Sequence, residues 1–218
     1  MISPFFSGLR LVPATLAVSV GLTAFGLPLM ARAAGPAHAD VQPTRELAKP
    51  CDDCVPGVEN FAKVSDALWR GAQPSSEGFK AMEGMGLKTV ISFRHDHDDL
   101  PLLKGTKLKY LRIPSFAFYP TEEHLLTFLK VMENPDNWPV YIHCAQGRDR
   151  TGYNAAAYRM LIQNWDVNDA ILEMNVFHFN KIWIGNPGFL KALQARSPQS
   201  LNDKLKNEPR PLFLGWRE

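Results

Sequence analysis

The chain has 218 residues, of which 45% are hydrophobic and 21% are charged, a composition typical of a folded domain with a hydrophobic core. Its formal net charge is only +2, from 24 basic and 22 acidic side chains. Proteins that bind nucleic acids usually carry a basic stripe or patch, so this balance argues against a nucleic-acid partner. The same composition excludes a disordered chain.

The N-terminal part of the chain differs from the rest. Arg10 is followed by an apolar stretch without a charged side chain, residues 11–30, which is the pattern of a secretory signal segment. Small residues flank candidate cleavage sites at residues 31–33 and 37–39. We prefer the second site, which predicts a signal peptide over residues 1–39 and an exported protein, either periplasmic or secreted.

Retention of this segment is the alternative. The apolar stretch is about long enough to cross a bilayer, although Pro13 and Pro28 interrupt it. An uncleaved segment would anchor the protein in the membrane. Cleavage would remove Arg10 and Arg32 and no acidic residue, which leaves a nearly neutral mature chain that begins at Asp40.

Two of the three cysteines lie close together near the predicted mature N-terminus. Cys51 and Cys54 stand in a Cys-Asp-Asp-Cys sequence flanked by prolines, which favours a loop. In an exported protein such a pair most simply forms a local disulfide. A zinc site would need two further ligands, and a thioredoxin-like site would need a strand before the pair and a helix after it. Residues 40–58 are predicted to form a tether to a domain at residues 59–218.

The domain alternates short strands with amphipathic helices. In chain order, its first half predicts strands at residues 61–64 and 67–70, a capped helix at residues 74–85, and strands at residues 88–93 and 109–113. Its second half predicts a helix at residues 121–134, a strand at residues 139–142, and helices at residues 153–163, 167–176 and 187–195. This order predicts an α/β fold with a central, mostly parallel sheet flanked by helices.

The segment after the last predicted strand contains the candidate catalytic residues. It begins with His143 and continues through residues 144–149, called here the cysteine loop, whose sequence is Cys-Ala-Gln-Gly-Arg-Asp, followed by Arg-Thr-Gly. A loop between a strand end and a helix start presents backbone N–H groups and a helix dipole to an anion. That field lowers the pKa of a thiol placed like Cys144 and produces a thiolate. Arg150 can hold two phosphoryl oxygens with its planar fork. Gly147 permits a tight loop, and Thr151 can offer its hydroxyl to the thiolate.

These residues resemble the His-Cys-x5-Arg signature of the cysteine-dependent protein tyrosine and dual-specificity phosphatases. Residues 68–74 and 89–94 are similar to the opening of compact bacterial, plant and fungal dual-specificity-like phosphatases. The resemblance implies a single domain of that fold and a two-step reaction without metal or other cofactor, in which Cys144 takes the phosphoryl group and water then releases phosphate. It also implies a supporting role for His143 and phosphate binding by Ala145, Gln146, Gly147, Arg148 and Thr151.

Two regions compete for the role of proton donor to the leaving oxygen. Related phosphatases usually place an aspartate well upstream, but residues 114–120 contain none. Asp149 is our preferred general acid, because Gly-x-Asp-Arg-Thr-Gly is similar to the loop of lipid-like and bacterial phosphatases in which the loop aspartate has this role. The alternative is Glu122 or Glu123, although acids are common in a first helical turn for the dipole alone. Asp149 could instead only brace the loop.

The expected partner is a phosphorylated protein or an inositol phosphate. Phe118 and Tyr119 are candidates to line an entrance that fits a phosphotyrosine ring. Arg148 adds positive charge at the rim, which resembles loops that accept inositol phosphates or phosphoinositides.

Three other classes of protein compete with a phosphatase. They are a phosphate-binding module without turnover, a redox protein acting through Cys51 and Cys54, and a sulfur-transfer enzyme. The intact Cys144 and Arg150 argue against the first, and the Arg-Thr-Gly ending argues against the last. A His-Asp-His-Asp-Asp sequence at residues 95–99 contains metal-ligand types. Alternating residues of one short loop rarely close a metal site, so we interpret it as a solvated loop.

Overall fold

The computed structural model describes residues 45–196 and 198–209. The predicted signal peptide, residues 1–39, and its cleavage site lie outside this part of the chain. In chain order the elements are β1 (Ala62–Lys63), β2 (Leu68–Gly71), α1 (Ser76–Gly84), β3 (Thr89–Ser92), β4 (Lys109–Arg112), α2 (Glu122–Met132), a 3₁₀ turn (Pro135–Asn137), β5 (Val140–His143), α3 (Arg150–Leu161), α4 (Val167–Val176), α5 (Gly185–Gln194) and α6 (Pro198–Asn207).

The strands form one sheet in the order β1-β2-β5-β3-β4. β1 runs antiparallel to β2, and the other neighbouring strands are parallel. The predicted α/β fold with a mostly parallel sheet is therefore confirmed. β5 lies between β2 and β3, so the cysteine loop leaves the carboxyl edge of the sheet near its middle, where ligands of such sheets commonly bind.

Alternate residues of the strands face two separate hydrophobic clusters, as the period of two in a strand requires. The larger cluster takes Leu68, Ile91 and Ile142 from the sheet and is closed by the helices α2 to α6. The smaller takes Trp69, Val90, Tyr110 and Tyr141 and is closed mainly by Phe79 and Met82 of α1. Helices therefore cover both faces of the sheet, which makes the central strands fully buried.

The helix boundaries follow the predictions closely, with two differences. Ser75 and Thr121 accept N–H bonds at the starts of α1 and α2, as their capping chemistry predicts. α3 begins at Arg150, before the predicted start, because the cysteine loop continues directly into the first helical turn. α6 is absent from the predictions, since most of its residues are polar and only Leu201 and Leu205 are buried. No helix of residues 45–196 or 198–209 combines the length and the hydropathy needed to cross a bilayer.

The segment predicted as a tether is packed onto the domain where the structure describes it. Val55 and Val58 are buried, and Cys51 forms an isolated antiparallel bridge with Phe61. The prolines and charged residues of this segment suggest a free linker, but two valines suffice to hold it against the smaller cluster. Cys51 and Cys54 are joined in a disulfide, so the prediction of a local bridge is confirmed.

The N-terminal segment also contacts a buried ion pair between α3 and α4. Arg159 donates from Nε and Nη2 to the two carboxylate oxygens of Glu173, at 2.9 and 2.6 Å. The backbone N–H of Ala48 donates to the same carboxylate at 2.8 Å. Glu173 is 1% exposed, and these donors bind both of its carboxylate oxygens.

Candidate active site

The cysteine loop is held from outside through its carbonyl groups. Three donors bind three successive carbonyls of the loop: the Gln73 N–H binds the carbonyl of residue 145 at 3.2 Å, the Asn60 amide that of residue 146 at 3.1 Å, and Arg70 Nη2 that of residue 147 at 2.8 Å. These contacts turn the carbonyl groups outward. The loop N–H groups and the N-terminus of α3 are then left to face an anion.

Gly147 is required by two features of this loop. Its φ is +68°, in the left-handed region that favours glycine. A Cβ built on it would lie 2.4 Å from the carbonyl carbon and oxygen of Gly71 on β2. The loop therefore rests directly on the backbone of the neighbouring strand, and a side chain at Gly147 would require movement of Gly71.

Cys144 lies at the bottom of this loop, and its side chain is 3% exposed. Burial in itself raises the pKa of the thiol, but the hydroxyl and N–H of Thr151, the charge of Arg150 and the N–H of Gln146 together outweigh it. The net effect lowers the pKa of Cys144 below its ordinary value. The contributions of Thr151, Arg150 and Gln146 favour the charged sulfur and exceed the effect of burial, so the site favours a thiolate.

Arg150, the first residue of α3, is directed toward the loop by two backbone carbonyls. Its Nη1 lies 3.3 Å from the carbonyl oxygen of Phe93 and 3.4 Å from that of Ser115. Its Nε is buried and has no hydrogen-bond partner among the described residues. A buried guanidinium N–H without a partner beside a thiolate loop can bind one oxygen of a phosphoryl group.

A buried histidine and aspartate lie behind Cys144, and the aspartate is a residue that the sequence interpretation missed. His143 Nε2 is 2.8 Å from Asp99 Oδ2, and both side chains are fully buried. Gln73 donates to the other oxygen of Asp99 at 2.9 Å. Burial raises the pKa of Asp99, but its contacts with His143, Gln73 and His97 outweigh this effect and lower it. Asp99 therefore holds the histidine that precedes the nucleophile.

The interpretation of residues 95–99 as a solvated loop is wrong for Asp99 and holds for most of its neighbours. His95, Asp96 and Asp98 are exposed, whereas Asp99 is fully buried. A run of alternating histidines and aspartates has no apolar period that could distinguish the buried acid from the exposed ones. The distinguishing contact, with His143, comes from a strand more than forty positions away and is invisible in the local pattern.

The candidate general acids occupy different places. Asp149 is partly exposed, and its Oδ1 accepts the backbone N–H of Asn180 at 2.8 Å. Glu122 is bound by Arg196 and Lys204 from the C-terminal part of the chain, and Glu123 is exposed. The structure thus keeps Asp149 at the loop while it gives Glu122 a role in joining α2 to the last helices.

An aromatic rim borders the site through the segment after β4. Ser115 contacts Arg150, and Phe116 and Phe118 follow it with 45% and 61% of their surface exposed. The rings of Phe116 and Phe118 are 5.5 Å apart, and Phe118 lies 6.2 Å from the ring of Trp183. Asn186 of α5 donates to the carbonyl of Ala117 at 2.9 Å, which joins the segment of Phe116 and Phe118 to the segment that carries Trp183. The aromatic rim presents flat apolar surface beside an anion loop.

The chain matches the family model of the tyrosine phosphatase family over residues 55–209, more than half of its length. The chain belongs to this family. It is 32% identical over 142 residues to the dual specificity protein phosphatase TpbA of Pseudomonas aeruginosa PAO1, which covers 64% of each protein. It is also 32% identical over 132 residues to the inositol diphosphatase SIW14 of Saccharomyces cerevisiae, which covers 56% of this chain and 47% of the yeast protein. The alignments span less than two thirds of either relative.

Solved structures of the same two relatives share the fold of this family member. The crystal structure of P. aeruginosa TpbA matches with a TM-score of 0.62 at 25% identity, covering 76% of this chain and 100% of that one. The core catalytic domain of the yeast SIW14 phosphatase matches with a TM-score of 0.60 at 26% identity, covering 72% and 99%. The expectation of a dual-specificity-phosphatase-like domain is confirmed.

The Thr151 hydroxyl contributes to the lowered pKa of Cys144, which gives a pH-dependent prediction. Replacing Thr151 by Val removes this hydroxyl, so the pKa of Cys144 should rise. The rate of alkylation by iodoacetamide, measured against pH, should reach its half-maximum at correspondingly higher pH. Thr151→Ser keeps the hydroxyl and should retain the wild-type profile. Identical profiles for Thr151→Val and wild type would show that the hydroxyl does not stabilise the thiolate.

Proposed function

We propose that the protein is an exported phosphomonoester phosphatase of the tyrosine and dual-specificity type, with Cys144 as nucleophile. One observation supports this assignment above the others: a thiol of lowered pKa lies in a loop whose carbonyls are turned outward, beside the unpartnered Nε of Arg150. A thiolate, convergent N–H groups and a guanidinium together suit a tetrahedral anion that carries two negative charges.

The reaction follows from these positions in two steps. The Cys144 sulfur attacks phosphorus, the bond to the ester oxygen breaks, and a proton from Asp149 neutralises that oxygen as it leaves. Water then attacks the phosphocysteine, the Asp149 carboxylate takes its proton, and the thiolate is released with inorganic phosphate. Arg150 and the loop N–H groups bind the three non-bridging oxygens throughout, where charge develops.

Asp149 is suited to both proton transfers by its contacts. Its Oδ1 is fixed by the N–H of Asn180, and its other oxygen has no donor among the described residues. The first contact sets the orientation of the carboxyl group, and the second oxygen is available to carry the proton. The other candidates are less suited, because Glu122 is engaged by two cations.

A phosphotyrosine-containing protein is the preferred substrate. The aromatic rim, formed by Phe116, Phe118 and Trp183, offers apolar surface on which a phenyl ring can stack. Tyr119 is 66% exposed beside it. Among the relatives, TpbA of P. aeruginosa is a dual specificity protein phosphatase and has been solved in complex with phosphotyrosine.

An inositol phosphate is the second candidate, and Arg148 favours it. This side chain is exposed at the loop, where a second cation suits a substrate that carries several phosphate groups. The yeast relative SIW14 is an inositol diphosphatase. Both candidate substrates would bind the cysteine loop through a phosphate group. They differ in the part of the substrate that contacts the residues around the loop.

The substrate proposal is tested by phosphate release from four compounds: a phosphotyrosine peptide, a phosphoserine peptide, a phosphoinositide and inositol hexakisphosphate. We expect the highest kcat/KM with the phosphotyrosine peptide and a loss of at least about 10³-fold in Cys144→Ser. The double variant Cys51→Ser, Cys54→Ser is the matched control and should retain turnover. Preference for inositol hexakisphosphate would select the second candidate. No release from any compound would indicate a phosphate-binding module.

The role of Asp149 is tested by the substitution Asp149→Asn. The amide oxygen can still accept the Asn180 N–H, so the brace is kept while the proton is lost. We expect a fall in kcat/KM, which reports the first step alone, of about 10²-fold or more for phenyl phosphate, whose leaving oxygen needs protonation, and a much smaller fall for p-nitrophenyl phosphate. Glu122→Gln and Glu123→Gln serve as comparison variants. Equal losses for both esters in Asp149→Asn would contradict an acid role.

Export is proposed from the signal pattern of residues 1–39, and the local disulfide between Cys51 and Cys54 supports it. Expression of the full chain in a bacterium with two membranes should place the protein in the periplasmic fraction with Asp40 as its first residue, as read by N-terminal mass spectrometry. Ala39→Leu should block this cleavage. Full-length protein found in the membrane fraction of wild-type cells would instead support the anchored alternative.

A further inference from the structure

Arg70 has the largest fully buried side chain of the described residues. It extends from β2, beside the central strand β5. Its guanidinium carbon lies 3.6 Å from the centre of the Phe177 ring, at the end of α4. Its Nε is buried and has no hydrogen-bond partner among the described residues. A charged side chain in such surroundings is unusual, because burial of a charge is costly unless an opposite charge compensates it.

No carboxylate of the described residues forms an ion pair with Arg70. Glu173 acts on it electrostatically but is already bound through both oxygens by Arg159. Burial lowers the pKa of Arg70 to about 10, and the charges of Glu173 and of the Cys144 thiolate act in the opposite direction. Arg70 therefore has no carboxylate partner of its own among the described residues, and the anions on which its charge can act are the Cys144 thiolate, which it shares with Arg150, and any phosphoryl group bound above it.

The side chain of Arg70 donates a hydrogen bond to the cysteine loop. Its Nη2 donates to the carbonyl oxygen of Gly147 at 2.8 Å. Gly147 is also the residue that rests on the backbone of Gly71, next to Arg70 on β2. β2 thus fixes the middle of the loop twice, once by contact and once by a charged donor.

We propose, on the basis of the phosphatase function proposed above, that Arg70 is a positioning residue. It holds the Gly147 carbonyl away from the anion site, and it supplies a buried positive charge that stabilises the Cys144 thiolate and the bound phosphoryl group. Arg70 does not contact the substrate in this arrangement. It acts through the loop and through the electrostatic potential beneath it.

Other ionisable groups face the same region and set the background for a test. Those that act on Arg70 or on Cys144 from the surrounding elements are Tyr141 of β5, Arg150, Tyr153 and Arg159 of α3, and Glu173 of α4. His143, which is next to Cys144 in the chain, is in contact with Asp99. All remain in place when only Arg70 is substituted. A change in the ionisation of Cys144 then reports the loss of the Arg70 charge.

The test compares Arg70→Met, which removes the charge from an unbranched side chain, with Arg70→Lys, which keeps it. Two readouts that need no turnover are used: the pH profile of Cys144 alkylation by iodoacetamide, and the concentration of inorganic phosphate that protects against alkylation. We expect Arg70→Met to move the profile about one pH unit higher and to require about tenfold more phosphate. Arg70→Lys should recover the profile of wild type. Phe177→Leu, which removes the ring but leaves the cation, is the control for altered core packing.

A folded Arg70→Met protein with the wild-type profile and wild-type phosphate protection would overturn the proposal. If Arg70→Met does not fold, Arg70→Gln, which keeps an N–H donor but has no charge, takes its place: a profile moved to higher pH supports the role of the charge, and a wild-type profile refutes it. Because neither readout depends on catalysis, these results stand apart from the substrate panel. If the wild-type protein releases no phosphate from any substrate, the proposed function is wrong. The positioning role of Arg70 can still be tested by these two readouts.

Discussion

An anion site made from a loop depends on where the backbone carbonyls point. Each peptide unit that offers an N–H also carries a partial negative charge on its oxygen, and a loop free to relax would turn some of these oxygens inward. In this protein three successive carbonyls of the cysteine loop are bound from behind by Gln73, Asn60 and Arg70. A hydrogen bond to a charged donor such as Arg70 contributes about 1.5–3 kcal/mol, enough to hold the loop open before any substrate arrives.

This constraint explains why the polar interior of the domain is concentrated at one edge of the sheet. Arg70, Asp99 and His143 are each fully buried, and each lies beneath or behind the loop. Asn60 adds a link to the N-terminal segment, since its own N–H donates to Asp52 inside the disulfide loop at 2.8 Å. Elsewhere the two hydrophobic clusters account for the stability of the sheet and its helices. Polar burial is costly, and apart from the Arg159–Glu173 ion pair the buried charged side chains of the described residues lie at the candidate site.

The sequence predicted those features whose causes are local. Strand and helix positions follow from apolar period and capping residues, and the loop from Cys144 to Arg150 follows from its spacing after an apolar strand. Contacts between segments that are distant along the chain could not be predicted from the sequence. Asp99 is buried because His143 meets it across the sheet, and Arg70 gains its place from Gly147 and Phe177, both far along the chain. The polar helix α6 was not predicted for the same reason, because its buried residues Leu201 and Leu205 are covered by packing against α2, which is distant in sequence.

The edges of the sheet bear on whether folded copies of this protein aggregate. The outermost strands are β1, which has only two residues, and β4, which begins with Lys109 and ends with Arg112. Short or positively charged edge strands discourage the addition of a strand from a second chain. The parallel strands β2, β5 and β3, whose residues are all buried, are enclosed between them. The order of the strands therefore protects the fold against edge-to-edge aggregation. It also places β5, which leads into the cysteine loop, at the centre of the sheet.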